Sequence, residues 1–324
     1  MSWYALEKIE EALNQTKDFL TPFDLGLWTR LAVIVLFLGG GLNNVPTGNS
    51  PTTDSGTQGV SGADLSIPGT DMTSSMHSGI IPNTDGLMTG AATSDAATLG
   101  IIALVGVIAL VFVVLSTIAR FAIFQSVMEK RASIREMFKS NFNRALQLIG
   151  LNVLTLIAVL LPTIPYLAGI EVASIVGGVL FVVAVFYWLA ILLAMTFVND
   201  FGLPLMVYEN ISIIDAVKRS LGTVWSQKAQ AAIYFLTKIG IGIVIGVIYL
   251  VALLTVFLAL LIPFGILGFI AYTLSPIAGG VVGVLGLLTL AIVMLYVRVP
   301  LEVYRHYFYV LNLEEFEEVE LVER

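Results

Sequence analysis

Few side chains in this sequence could do chemistry, and those few are scattered. The 324 residues hold two histidines, His77 and His306, and no cysteine. Disulfides, thiolate metal sites and cysteine nucleophiles are therefore excluded together. His77 has Met72 and Met76 nearby, in outline a soft-metal donor set, but one histidine without thiolates falls short of a ligand sphere. Hydrolysis or group transfer needs convergent polar groups, and no spacing here supplies them. The glutamates concentrate at the end of the chain. Glu314, Glu315, Glu317, Glu318, Glu320 and Glu323 read as a solvated acidic run closed by one arginine. No catalytic residue, metal or cofactor is expected, and the protein is not expected to be an enzyme.

The polar residues in informative places stand at the ends of apolar stretches. Arg120 and Arg298 follow two such stretches, and Asp200 occupies the corresponding place on a third. If those ends meet, Asp200 would form an inner-rim ion pair with one of the arginines. All 16 lysines and arginines fall in four clusters, and residues 31–119, 145–217 and 239–297 contain none. Each gap is long enough to cross a bilayer, turn and cross back. This is the positive-inside pattern, with both termini in the cytoplasm and the cytoplasmic membrane as the location. The chain is 57% hydrophobic and 12% charged, with mean hydropathy +0.93, whereas soluble domains are about 25% charged.

The expected fold class is all-α, a polytopic membrane bundle of six transmembrane helices. The spans are expected at 22–42, 99–119, 145–167, 173–198, 231–261 and 277–297. The first is the weakest, because its apolar run is short and Arg30 must snorkel from within it. A re-entrant hairpin in its place would invert every later loop. Residues 1–21 predict a cytoplasmic amphipathic helix on Leu6, Ile9, Leu13, Thr16 and Leu20. Residues 43–98, rich in Gly, Ser, Thr, Asn, Pro and Asp, predict an irregular outer loop. Residues 120–144 and 199–230 predict cytoplasmic amphipathic segments, and 298–324 the acidic cytoplasmic tail. No cleavable signal is evident. The net charge of −7 argues against nucleic acid as a partner.

An internal repeat links these segments. Phe121, Val127 and Glu129 recur as Phe201, Val207 and Glu209. Ser133, Ile134, Glu136 and Lys139 recur as Ser212, Ile213, Asp215 and Lys218. Pro300, Leu301, Val303 and Tyr304 repeat Pro204, Leu205, Val207 and Tyr208. The bundle therefore reads as three hairpin repeats, each preceded by an amphipathic helix. Two of those helices open on capping boxes, Ser133-x-x-Glu136 and Ser212-x-x-Asp215. Lys130, Arg131, Arg135, Lys139 and Arg144 suit contact with an anionic leaflet; the alternative is that they only set topology. Gly242 with Gly246 and Gly279 with Gly283 are small-xxx-small pairs for helix packing or a homo-oligomer contact.

Trp3-Tyr4-Ala5, Phe19-Leu20-x-Pro22-Phe23-Asp24-Leu25-Gly26, Trp28 and Arg30-Leu31 together resemble a family of uncharacterised haloarchaeal multi-pass membrane proteins. The resemblance implies an archaeal cell membrane and carries no activity. Pro204-Leu205-x-Val207-Tyr208-Glu209 with Ala216-Val217-Lys218-Arg219-Ser220 is similar to the membrane domain of some glycerophosphodiester phosphodiesterases. Their catalytic residues lie in a separate soluble domain. The expected function is a non-enzymatic scaffold or accessory subunit contacting membrane lipids or a protein partner at the cytoplasmic face. The alternative is a transporter or flippase for lipid-like or apolar molecules.

Overall fold

The computed structural model describes residues 4–21, 23–38, 95–169, 171–172, 174–318 and 321–322, with backbone alone for 95–102. Most of the expected outer loop, including Met72, Met76 and His77, lies outside the described residues. The chain divides into two units, Met1–Gly41 with Phe112–Arg324, and Leu42–Val111. The described part of the second unit is the start of one helix. The packing below belongs to the first unit.

The elements are α1 (Tyr4–Leu20), α2 (Leu25–Leu38), α3 (Asp95–Glu129), α4 (Ile134–Leu160) and the short α5 (Ile164–Leu167). They continue with α6 (Ile175–Phe197), a π-helical turn (Val198–Gly202), α7 (Leu203–Tyr208), α8 (Ile213–Ser226), α9 (Lys228–Leu274) and α10 (Pro276–Glu317). Five helical stretches are long and apolar enough to cross a membrane: Ala103–Glu129, Ile134–Leu167, Ile175–Tyr208, Lys228–Leu274 and Pro276–Glu317. Their outward faces carry Leu154, Ile157, Val182, Phe186, Val247, Leu254 and Leu288, all exposed. A water-soluble protein does not sustain apolar surface on that scale, so this is a membrane protein. The first expected span is represented by α2, apolar but 14 residues long, with Leu31, Ile34, Val35 and Leu38 buried.

The hairpin of α9 and α10 is longer than its sequence implies. The outer loop expected between 261 and 277 is helix except at Ser275, whose backbone is extended. The helix runs through Pro263 and ends only at Ser275-Pro276, where proline pushes the preceding residue out of the helical region. At 1.5 Å per residue α9 is about 70 Å long, more than twice a hydrocarbon core of about 30 Å.

Glycine lets the two arms approach. A Cβ on Gly279 would stand 2.8 Å from the Tyr272 Cβ, and one on Gly286 3.1 Å from the Phe264 ring. Of the four glycines expected to mediate packing, Gly279 alone does so here. A Cβ on Gly242, Gly246 or Gly283 would meet nothing within 4 Å, so these three open away from the hairpin seam.

The amphipathic segments also differ in form. Residues 120–144 form no separate helix, since α3 runs on to Glu129 and α4 restarts at Ile134. Ser133 makes no side-chain cap. Ser212 does: its Oγ accepts from the Asp215 amide at 3.3 Å and donates to Asp215 Oδ2 at 2.7 Å. Gln147 of α4 accepts the Ile213 amide at 3.1 Å, tying α8 to a neighbouring helix. On α1 the buried seam is Ala5, Ala12, Thr16, Phe19 and Leu20, packed on α10, while Leu6 and Leu13 are exposed.

The acidic run is not a solvated tail. Glu314 is buried, and its Oε1 accepts the amides of Leu321 and Val322 at 2.6 and 2.7 Å. Glu315 pairs with Lys8 at 3.4 Å, and Glu317 with Arg219 at 2.9 Å. Glu317 also accepts from Thr223. Glu320 and Glu323 lie outside the described residues. Arg219 further pairs with Glu209 at 2.5 Å. Burial would lower its pKa, but Glu317 and Glu209 outweigh that and hold it above the usual arginine value.

The seam geometry gives a direct comparison. Gly279→Leu is expected to lower the apparent melting temperature in detergent, consistent with overpacking costs of about 1–3 kcal/mol. Gly283→Leu, four residues away on the open side, is expected to leave it unchanged.

Candidate functional site

The candidate site forms where α6, α9, α10 and α3 pass from apolar to charged sequence. Its first component is a break in a helix. Pro204 cannot donate to the carbonyl of Asp200, four residues back, and its ring crowds that carbonyl. The ladder widens instead, and the Leu203 amide bonds to the Val198 carbonyl five residues earlier. Such π-bulges recur at functional positions. This one turns Asp200 inward, where its residue is 4% exposed.

Two donors from α9 meet that carboxylate. Tyr234 Oη donates to Asp200 Oδ2 at 2.9 Å, and Lys238 Nζ donates to the same oxygen at 2.5 Å. The spacing of four residues places both on one face of α9. Lys238 also lies 5.0 Å from the centre of the Tyr309 ring. Tyr234 is fully buried, 4.8 Å from Phe201 and stacked on Phe308 at 5.7 Å with 6° between the ring planes. Phe316 extends this aromatic core, 5.2 Å from Phe201 and 6.2 Å from Tyr4 of α1.

A second group lies on the neighbouring face of α10. Glu302 is buried, with Oε1 3.2 Å from Arg298 and Oε2 2.6 Å from Arg305. His306 Nδ1 donates to the Glu302 carbonyl at 2.7 Å, which fixes the proton on that nitrogen. The His306 ring meets Phe124 of α3 edge-on at 4.7 Å. Arg120, one turn before Phe124, lies within electrostatic reach of Arg305 and Glu302.

All three rim residues read from the sequence thus reach one cluster, but not as the expected pair. Asp200 takes Lys238 as its ionic partner, and Arg298 takes Glu302. The reason is geometric: Arg298 has an acid four residues on along its own helix, and the bulge aims Asp200 at α9. The sequence reading missed Tyr234, Lys238, Glu302 and Arg305. Their signal was available in the helical spacing of Arg298, Glu302 and Arg305 and of Tyr234 and Lys238. Arg30 donates to the Ala132 carbonyl at 3.3 Å, so its reach ends on the α3–α4 link.

The expected lipid-contact residues fall into two sets. Arg144 is engaged, donating to Asn141 at 2.7 Å and Asn210 at 2.9 Å. Lys130, Arg131, Arg135 and Lys139 form no ion pair among the described residues, and the last three are exposed. No three His, Asp or Glu side chains gather as a metal ion would need among the described residues. Between α1, α9 and α10 lies an open groove of about 690 Å³, lined by Leu6, Leu13, Ile241, Val244, Ile248 and Leu301 among others.

The model of a family of unknown function (DUF7544) matches residues 3–321, nearly the whole chain. The chain belongs to that family. No curated protein and no solved structure matches it. What its cluster can do chemically must therefore be read from its own geometry. Tyr234 is sealed from solvent, and Asp200 holds α6 to α9 as a buried ionic lock.

Removing one partner of a buried pair strands the other's charge, at about 3–5 kcal/mol. Asp200→Asn is therefore expected to lower thermal stability in detergent sharply. The Asp200→Asn/Lys238→Met double variant should recover much of the loss. A double variant no more stable than Asp200→Asn would show that the pair is not the lock.

Proposed function

We propose that this protein is a non-enzymatic membrane scaffold or accessory subunit that engages lipid headgroups, and through them or beside them a partner, at its charged end. On this reading α2 completes a six-span bundle of three hairpin repeats, with the charged end and both termini in the cytoplasm. The resemblance to haloarchaeal proteins makes the membrane an archaeal cell membrane.

The observation that carries the proposal is one exposed face of α4. Arg135, Lys139, Phe142, Leu146, Val153 and Ile157 all lie on it, at helical spacing. All six are exposed, and the face passes from basic to apolar within two turns. A helix crossing from an anionic headgroup layer into acyl chains has that order. Exposed Ile214 and Trp225 on α8 add an apolar surface suited to the same boundary.

A lipid transporter or flippase is the second reading, favoured by the apolar groove between α1, α9 and α10. Its volume falls in the range of about 300–1,000 Å³ common for ligand pockets. That reading requires the groove to continue to the opposite face. A fluorescent-lipid scrambling assay in proteoliposomes would detect it.

The scaffold reading is tested by purification in mild detergent followed by native mass spectrometry. Retained anionic lipid or a stoichiometric protein partner is expected. Arg135→Gln/Lys139→Gln should reduce the retained anionic lipid, since each basic side chain near an anionic surface contributes roughly 1 kcal/mol. A protein that stays solitary, with neither lipid nor partner, sinks the idea.

A further inference from the structure

The charged cluster is out of balance. Four cations, Arg120, Lys238, Arg298 and Arg305, share two carboxylates, Asp200 and Glu302. The carboxylate contacts are already taken: Asp200 by Lys238 and Tyr234, Glu302 by Arg298 and Arg305. Arg120 makes no hydrogen bond or ion pair among the described residues, and the carboxylate that acts on it, Glu302, is already held by Arg298 and Arg305. Arg120 is nevertheless half-buried, with its neighbours Ala119 and Phe121 fully covered. Arg305 engages Glu302 through one terminal nitrogen and leaves its Nε unpartnered.

An arginine cannot shed its charge, and its five N–H donors need acceptors. Phe124, one turn after Arg120, meets the ring of His306, the neighbour of Arg305, at 4.7 Å, so the two guanidiniums stand on helices in contact. Such a pair is stabilised best by an added anion with several acceptor oxygens. The planar fork of arginine matches a tetrahedral phosphate in two-point geometry. Arg120 follows the apolar stretch 99–119, so a lipid headgroup is one source such a phosphate could have.

We propose that Arg120 and Arg305 form a binding site for a phosphate group, carried by a membrane lipid or free in solution. The site does not depend on the scaffold reading, which rests on the exposed face of α4. The groove between α1, α9 and α10 is lined by Pro300, Leu301 and Tyr304 of α10 and by neither Arg120 nor Arg305.

The test uses the full chain in a non-ionic, phosphate-free detergent. Thermal stability is followed while titrating inorganic phosphate, short-chain phosphatidylglycerol, or a diacylglycerol of matched chains lacking phosphate. A rise in melting temperature is expected with a phosphate-bearing probe and not with diacylglycerol. A response to inorganic phosphate assigns the site to free phosphate; a response confined to phosphatidylglycerol assigns it to a lipid headgroup. Arg120→Gln should weaken the responding probe by about tenfold or more, as expected for losing charge-assisted hydrogen bonds. Lys228→Gln, a basic residue seated over Trp225 outside the cluster, should respond as the wild type does. No response of the wild type to either phosphate probe overturns the proposal. So does an equal response to diacylglycerol, or unchanged affinity in Arg120→Gln. If Arg120→Gln does not fold, Arg120→Lys decides: it keeps the charge but not the fork, and unchanged affinity overturns the two-point site.

Discussion

Between Glu171 and Glu209 the chain carries one acid, Asp200, and its position controls how the charged end of the molecule is assembled. A carboxylate at the end of an apolar span must either reach water or find donors. The π-bulge set by Pro204 removes the first option by turning Asp200 inward, and Tyr234 and Lys238 supply the second. Because Tyr234 is also the centre of the aromatic core, the ionic contact and the packing reinforce one another. Phe201 follows Asp200 directly and packs against Tyr234 with the rings tilted. A bulge displaced by one residue would rotate both out of place. Buried ion pairs are weak sources of net stability; this one specifies which face of α6 meets α9.

The same end of the molecule shows why α10 is the helix on which the others depend. It packs against α9, α1, α2 and the π-turn. Its buried stretch from Val303 to Phe316 is apolar and aromatic on most sides, which a helix tolerates only when surrounded. Toward the other end α10 meets α9 along the glycine seam and exposes Ile277, Val281, Val284, Leu287, Leu288 and Ile292. One helix thus changes from a membrane element to a core element along its length, and Arg298 and Glu302 mark the change.

That division explains what could be read from the sequence and what could not. Apolar runs pointed to the five long apolar helices, because hydrophobicity acts residue by residue and needs no knowledge of neighbours. Arg120, Asp200 and Arg298 were recognisable as rim residues for the same reason. Their partners were not, since pairing depends on which way a bulge turns Asp200 and on acids within the same helix. The acidic run misled for a related reason. Composition counts charges, whereas Leu311, Leu313 and Phe316 lie among those acids and carry the helix back into the core. Once the helix is docked, Glu314 and Glu317 meet donors from the chain end and from α8.

Positive charge at this boundary serves two physically different ends. Arg135 and Lys139 are exposed and cost little to maintain, free to meet an anionic surface. Arg120 is different. Covering a guanidinium whose nearby carboxylate, Glu302, already serves Arg298 and Arg305 costs free energy that an exposed residue at the same depth avoids, and a neutral glutamine there would carry no such cost. Four residues away Phe124 is wedged against His306, so α3 cannot rotate to carry Arg120 into water without unpacking that contact. The fold thus holds Arg120 beside a carboxylate that two other arginines already share, a charge balance that an added anion would improve.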